Sequence, residues 1–252
     1  MKRLIRKILN RYNYDIVKVA GLQPQPVPGD FDDHHKMVLA KVGKFTMTSP
    51  ERVFSLVEAV RYIEKNNIEG SIVECGVWKG GSMMAVAETL KVTGNKNRQL
   101  YLYDTYEGMS APTEHDKTFS GDKAATLLEI DLNKEKNLVW AYSALETVKQ
   151  NMQSTGYPED KITYVKGKVE DTIPQTIPGK IALLRLDTDW YESTLHELIY
   201  LFPLLQEGGV LILDDYGHWA GAKKAVDEYV AQHSIQILLN RIDETGRIAV
   251  KQ

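Results

Sequence analysis

The sequence predicts an α/β protein: a mostly parallel seven-stranded sheet, helices on both faces, and an antiparallel hairpin at its C-terminal end. Three observations lead there. Short apolar runs such as SIVEC (71–75) and IALLRL (181–186) are bounded by turn residues and read as buried strands. They alternate with stretches of helical periodicity, which implies βαβ units. The last two runs, 235–239 and 247–250, are joined only by residues 241–246, too short for a crossover helix, so they pair antiparallel.

The elements follow in order. Residues 1–45 form an N-terminal extension, opened by the basic, amphipathic MKRLIRKILNRYNY. That stretch lacks the apolar core of a signal peptide and reads as a short helix against the domain or another subunit, so a homo-oligomer is expected. QPQPVPGD (23–30) is an extended loop, and Asp32, Asp33, His34 and His35 a solvated loop or helix start. Ser49-Pro50 suits an N-cap and first helical position. Val53, Leu56, Val57 and Val60 then repeat at helical spacing, as do Met83, Val86, Ala87 and Leu90 after the first strand. QLYLYD (99–104) is the second strand, 105–122 a polar loop and 145–154 helical. Strands at 162–165, 181–186 and 210–213 follow, with helices marked by Leu195, Leu198, Ile199 and Phe202, and by Ala222, Ala225, Val226 and Tyr229. No internal repeat interrupts the pattern. The simplest partition is the extension and one domain over 46–252.

Bulk composition narrows the function classes. The 252 residues are 43% hydrophobic, enough for one large domain core. Lys+Arg 31 against Asp+Glu 34 leaves a net charge of −3, with no polybasic footprint for nucleic acid. No apolar run approaches the roughly 20 residues that span a bilayer. Cys75 stands alone, which forbids an internal disulfide and fits a reducing, cytoplasmic setting.

In an open α/β sheet, ligands bind past the carboxyl ends of the strands, where strand order reverses. After the first strand come Glu74, Gly76, Trp78, Lys79, Gly80 and Gly81. Glycines there let backbone approach a ligand, and the following helix start offers free N–H groups. The spacing is not G-x-G-x-x-G, and an acid before the glycines suits a ligand with an amino group or sulfonium rather than a pyrophosphate. Asp104, ending the second strand, can accept two ribose hydroxyls; hydrogen bonding within the loops is the other reading of Glu74 and Asp104. This acid–glycine–acid arrangement resembles the class I S-adenosylmethionine-dependent methyltransferases.

A second cluster lies past the fourth and fifth strands: Asp187, Asp189, Asp214 and Asp215. If those strands are neighbours, their ends stand about 5 Å apart. Carboxylates that close resist joint ionisation, and a divalent cation relieves the conflict. An all-oxygen set favours Mg²⁺, with Mn²⁺ or Ca²⁺ as rivals; solvated strand-end caps are the plainer reading. Such a cation would acidify a hydroxyl, a neighbouring carboxylate would take its proton, and a methyl donor within about 3–3.5 Å would complete the transfer.

Five blocks in order carry a family signature: Thr46-Met47, VECGVWKGGS (73–82), LYDTYEGM (102–109), LLRLDTDWYEST (183–194) and GGVLILDDYG (208–217). Together, from about Thr46 to Tyr229, they resemble the macrocin O-methyltransferase (TylF) family, which includes the mycinamicin and novobiocin sugar methyltransferases. The resemblance implies a Rossmann-like class I methyltransferase fold, S-adenosylmethionine as cofactor, and Mg²⁺-dependent methylation of a sugar hydroxyl on an antibiotic or other small-molecule glycoside. By matched position it makes Asp187, Asp214 and Asp215 metal ligands and Asp187 the general base, with Asp189 as the other candidate. It places Thr46, Met47, Glu74, Cys75, Gly76, Val77 and Trp78 in the cofactor pocket. Asp104, Thr105, Tyr106, Glu107, Gly108, Gly167, Glu170 and Leu186 join them there. Without it, Met47 and Trp78 read as core residues. Loop 109–122 falls where a lid would lie, and Tyr191, Tyr216, His218 and Trp219 are candidates to face the acceptor. Two alternatives are a cofactor-binding module without catalysis and a metal-dependent hydrolase; the latter leaves Glu74, Gly76 and Asp104 without a role.

Overall fold

The apolar runs assemble into a single seven-stranded sheet in the computed structural model, which describes residues 27–252. Five strands are parallel: β1 (Ser71–Cys75), β2 (Leu100–Asp104), β3 (Ile162–Lys166), β4 (Ile181–Leu186) and β5 (Leu205–Leu213). β6 (Asn240–Arg241) and β7 (Arg247–Val250) follow, and β7 pairs antiparallel with both β5 and β6. The spatial order is β3-β2-β1-β4-β5-β7-β6. The chain winds outward from β1 to β3, then crosses back to β4 on the other side of β1. The switch point therefore lies between the ends of β1 and β4, whose residues are all buried.

Residue alternation sends the strand side chains to two separate cores. Ile72, Leu100, Leu102, Leu183 and Ile212 face α1 (Asp33–Val42), α2 (Pro50–Lys65), α3 (Gly81–Thr93) and, past a six-residue helix α4 (Ala124–Glu129), α5 (Leu145–Gln153). Val73, Cys75, Leu184, Leu186 and Leu213 face α6 (Val169–Thr172), α7 (Tyr191–Leu201) and α8 (Ala220–Gln232). Each large side chain so buried contributes about 1.5–3 kcal/mol. The capping signals behave as the sequence predicts: Ser49 accepts from the Arg52 N–H at 3.2 Å with Pro50 in the first turn.

One expectation is narrowed and two shift. Of the two readings of the Asp-Asp-His-His run, the helix start holds: Asp32 caps α1 through the His35 N–H at 2.9 Å. Val38 and Val42 of α1 are fully buried in the main core, so the compact unit begins at Asp32 rather than at residue 46. The sixth strand is Asn240–Arg241, not 235–239. A hairpin must pair next to its turn, and Ile242 already donates to Gly246 at 3.0 Å. Ile235, Ile237 and Leu239 alternate because they pack on the second core without entering the ladder. The basic N-terminal stretch lies outside the described residues. Among those described, no helix is long and apolar enough to cross a membrane.

Candidate active site

The carboxyl ends of β1, β2, β4 and β5 open into one cavity of about 430 Å³. Its first half is built by the turn from β1 into α3. Gly76 has φ +83, and a Cβ there would overlap the Asp187 carbonyl, so the ends of β1 and β4 meet backbone to backbone. The Asp187 N–H donates to Cys75 at 2.9 Å across the same gap. Trp78, with the left-handed φ of 47, stands on the cavity wall. Asp104 binds the two loops together: one oxygen accepts from the N–H groups of Val77 and Trp78 at 2.7 and 3.0 Å, the other from Tyr106 at 2.6 Å. Burial raises its pKa, and those three N–H groups oppose the rise. Loop hydrogen bonding is thus what Asp104 does in the structure, while it still forms part of the wall.

Other expected cofactor residues divide by position. Thr46, Met47, Gly76, Val77 and Trp78 line the cavity, as do Thr105, Gly108, Gly167 and Glu170. Met47 is 48% exposed, which removes the core reading for it. Five stand off the wall. Cys75 and Leu186 point into the second core. Tyr106 is buried with its hydroxyl on the Leu102 carbonyl at 3.1 Å, and Glu107 reaches outward to Lys166 at 2.9 Å. Glu74 is 1% exposed and faces its cross-strand neighbour Arg185 at 2.5 Å.

The second half holds the acids. Asp187, Asp189 and Asp215 each bring one carboxylate oxygen within 4.8 Å of the others. Asp189 adopts φ 67, and its N–H donates to Asp215 at 3.3 Å. Removal from water raises all three: Asp189 reaches about 7, and Asp187 and Asp215 go well above the ordinary carboxylate value. Arg185 opposes the rise at Asp187, whereas neighbouring acids add to it. Asp214, expected as a ligand, also lines the cavity but is engaged by arginines. Its carboxylate pairs with Arg52 and with Arg185 Nη2 at 2.8 Å. Asp214 and Asp215, just past β5, both line the cavity, but Asp214 is buried against the two arginines, so Asp189 rather than Asp214 completes the close cluster with Asp187 and Asp215.

Arg185 is the residue that site reading from sequence passes over. It is 4% exposed and touches Glu74, Asp187 and Asp214 at once. Burial would lower its pKa; the three carboxylates outweigh that and raise it well above normal. The same burial lifts Glu74 to about 7 against the pull of Arg185. The signal was present: an arginine inside the strand IALLRL demands acidic partners. Arg52 extends the network, with Nε 3.0 Å from Asp243, which also accepts from the Ser49 hydroxyl at 2.6 Å. Of the aromatic candidates, His218 and Trp219 line the cavity. Tyr191 and Tyr216 bond Glu228 and Asp227 at 2.7 and 2.8 Å and are not part of its lining.

A parallel sheet closed by an antiparallel last strand, with its cavity at the β1–β4 switch point, defines a class I methyltransferase fold. The chain belongs to the macrocin-O-methyltransferase (TylF) family, whose model matches residues 32–250. It is 34% identical over 201 residues to the 8-demethyl-8-(2,3-dimethoxy-alpha-L-rhamnosyl)-tetracenomycin-C 4'-O-methyltransferase of Streptomyces olivaceus, covering 80% of this chain and 73% of that one. Demethyldecarbamoylnovobiocin O-methyltransferase of Streptomyces niveus is 31% identical over the same shares. The solved structure of the O-methyltransferase NovP superposes with a TM-score of 0.71 at 30% identity, covering 82% of each chain. The protein is accordingly an S-adenosylmethionine-dependent O-methyltransferase.

Proposed function

We propose that the protein methylates a sugar hydroxyl of a glycosylated natural product, and that it uses Mg²⁺ to do so. The observation that carries this reading is the meeting of Asp187, Asp189 and Asp215 in the same cavity as the glycine turn at Gly76–Trp78. The tetracenomycin-C relative is named for a substrate that carries a rhamnosyl group, which supports the sugar acceptor.

The donor set fits a hard divalent cation: every candidate ligand is a carboxylate, and burial and mutual repulsion make joint ionisation costly without one. Asp187 and Asp215 belong to both the spatial cluster and the set that the resemblance implies, and they would hold it. Asp214 would complete the set by leaving Arg52. When bound, the cation would supply positive charge that lowers the pKa of the acceptor hydroxyl. Asp189 is then free to accept the hydroxyl proton. Arg185 keeps Asp187 aimed into the cavity, and the Gly76–Trp78 wall holds the donor beside it. Trp219 and His218 offer an aromatic surface to a sugar face.

Purified protein with methyl-labelled S-adenosylmethionine and a panel of deoxysugar glycosides tests the reading. Label on a sugar oxygen, located by mass spectrometry and NMR, is expected. Transfer only to phenolic or catechol acceptors would reject the sugar and leave the methyltransferase class standing.

A further inference from the structure

Composition makes the segment after β2 a loop or lid, yet one buried carboxylate fastens it. Asp116 is 1% exposed. Its Oδ2 accepts from the N–H and hydroxyl of Thr113 at 2.6 and 2.9 Å. Its Oδ1 accepts from the N–H of Tyr191, the first residue of α7, at 2.8 Å. Its carbonyl accepts from Ala124, the first residue of α4, at 2.9 Å. The remaining side of the carboxylate rests on Gly221 in the first turn of α8, where a Cβ would overlap Oδ1. Next along the chain, Lys117 accepts from the Ala220 N–H at 2.9 Å.

What this junction holds in place faces the acid half of the cavity. Trp190 and Trp219 pack edge to face at 4.9 Å between centroids, in an apolar cluster with Ala124 and Leu128 of α4. The Trp190 indole donates to the Ser110 carbonyl at 3.1 Å, and Met109, Ser110 and Trp219 all line the cavity. Tyr191, held by Asp116, follows Asp189 by two residues. None of these groups belongs to the wall formed by Gly76, Val77 and Trp78.

We propose that Asp116 is the positioning residue for the acceptor: it latches segment 109–142 to the starts of α7 and α8 and so fixes the acceptor wall without meeting substrate itself. The inference rests on the acid half being the acceptor side. It also assigns Gly221 a role, since only a residue without a side chain leaves room for the latch.

Two variants probe one joint from opposite sides: Asp116→Ala removes the acceptor atoms, and Gly221→Ala pushes them away with the acid intact. In both, amide hydrogen exchange in 109–142 is expected to speed up roughly tenfold while β1 and β4 keep their protection. Affinity for S-adenosylhomocysteine should stay within about threefold while the KM for the glycoside rises roughly tenfold and kcat changes less. Asp116→Asn, which still accepts from Tyr191 but not from Thr113, should fall between. Unchanged exchange in 109–142 would overturn the latch. So would faster exchange throughout the sheet, or cofactor affinity falling in step with the acceptor KM. Absence of turnover in the unmodified enzyme counts against the sugar acceptor alone; exchange and cofactor binding still decide the latch.

Discussion

Asp187 sits where the two halves of the cavity touch. Its backbone bonds Cys75 and crowds Gly76, and its carboxylate meets Arg185 and the acid cluster. Asp187→Asn keeps the backbone and removes the charge. S-adenosylhomocysteine affinity measured by calorimetry should be retained, while turnover falls by a factor on the order of 10² to 10⁴. Gly76→Ala should act oppositely, because its Cβ has no space and its φ is left-handed. Cofactor affinity should drop and the folded state lose on the order of a few kcal/mol, read as a lower melting temperature; normal cofactor affinity in that variant would contradict the close approach. At this scale the sequence located the acids but not their aim. Asp214 and Asp215 both line the cavity past the end of β5, and which of them is tied up by arginine depends on Arg52 and Arg185, drawn in from other elements. Glu74 was legible as a strand-end acid, but not as the cross-strand partner of Arg185.

Elements were read best where one periodicity ran long enough. The parallel strands and α2, α3, α5, α7 and α8 show a clear apolar face or run. α4 and α6 have six and four residues, too few for a period to show. α1 was only half legible, because its polar start reads equally as a loop or a helix start and only Val38, Val42 and His35 turn inward. The α2 start carries a test. Ser49 caps the helix and also bonds Asp243 in the β6–β7 turn, so one hydroxyl ties a helix to the hairpin. Ser49→Ala should cost about 1 kcal/mol for the lost cap, and more for the lost tie, read as a lowered denaturation midpoint. A change indistinguishable from zero would show that the tie contributes nothing.

For the whole molecule, crowding acids at one sheet end makes stability depend on pH and on cations. Glu74 has a folded pKa near 7 against an ordinary 4.5, so between those values the native state holds a proton that the unfolded chain has released. Stability then falls as pH rises through this window, by up to about 1.4 kcal/mol per pH unit from that group. Asp189, raised to about 7, adds in the same direction. Chelator-treated protein should therefore melt at a lower temperature at pH 8 than at pH 6. Added Mg²⁺ should restore more at pH 8, where fewer protons compete; equal Mg²⁺ effects at both values would count against the acids as its site. The direct measurement of the central claim is turnover of a glycoside acceptor after EDTA treatment, followed by Mg²⁺ addition. Loss of methyl transfer with cofactor binding intact, then recovery on adding Mg²⁺, is the expected result; transfer that continues unchanged in excess EDTA would contradict it.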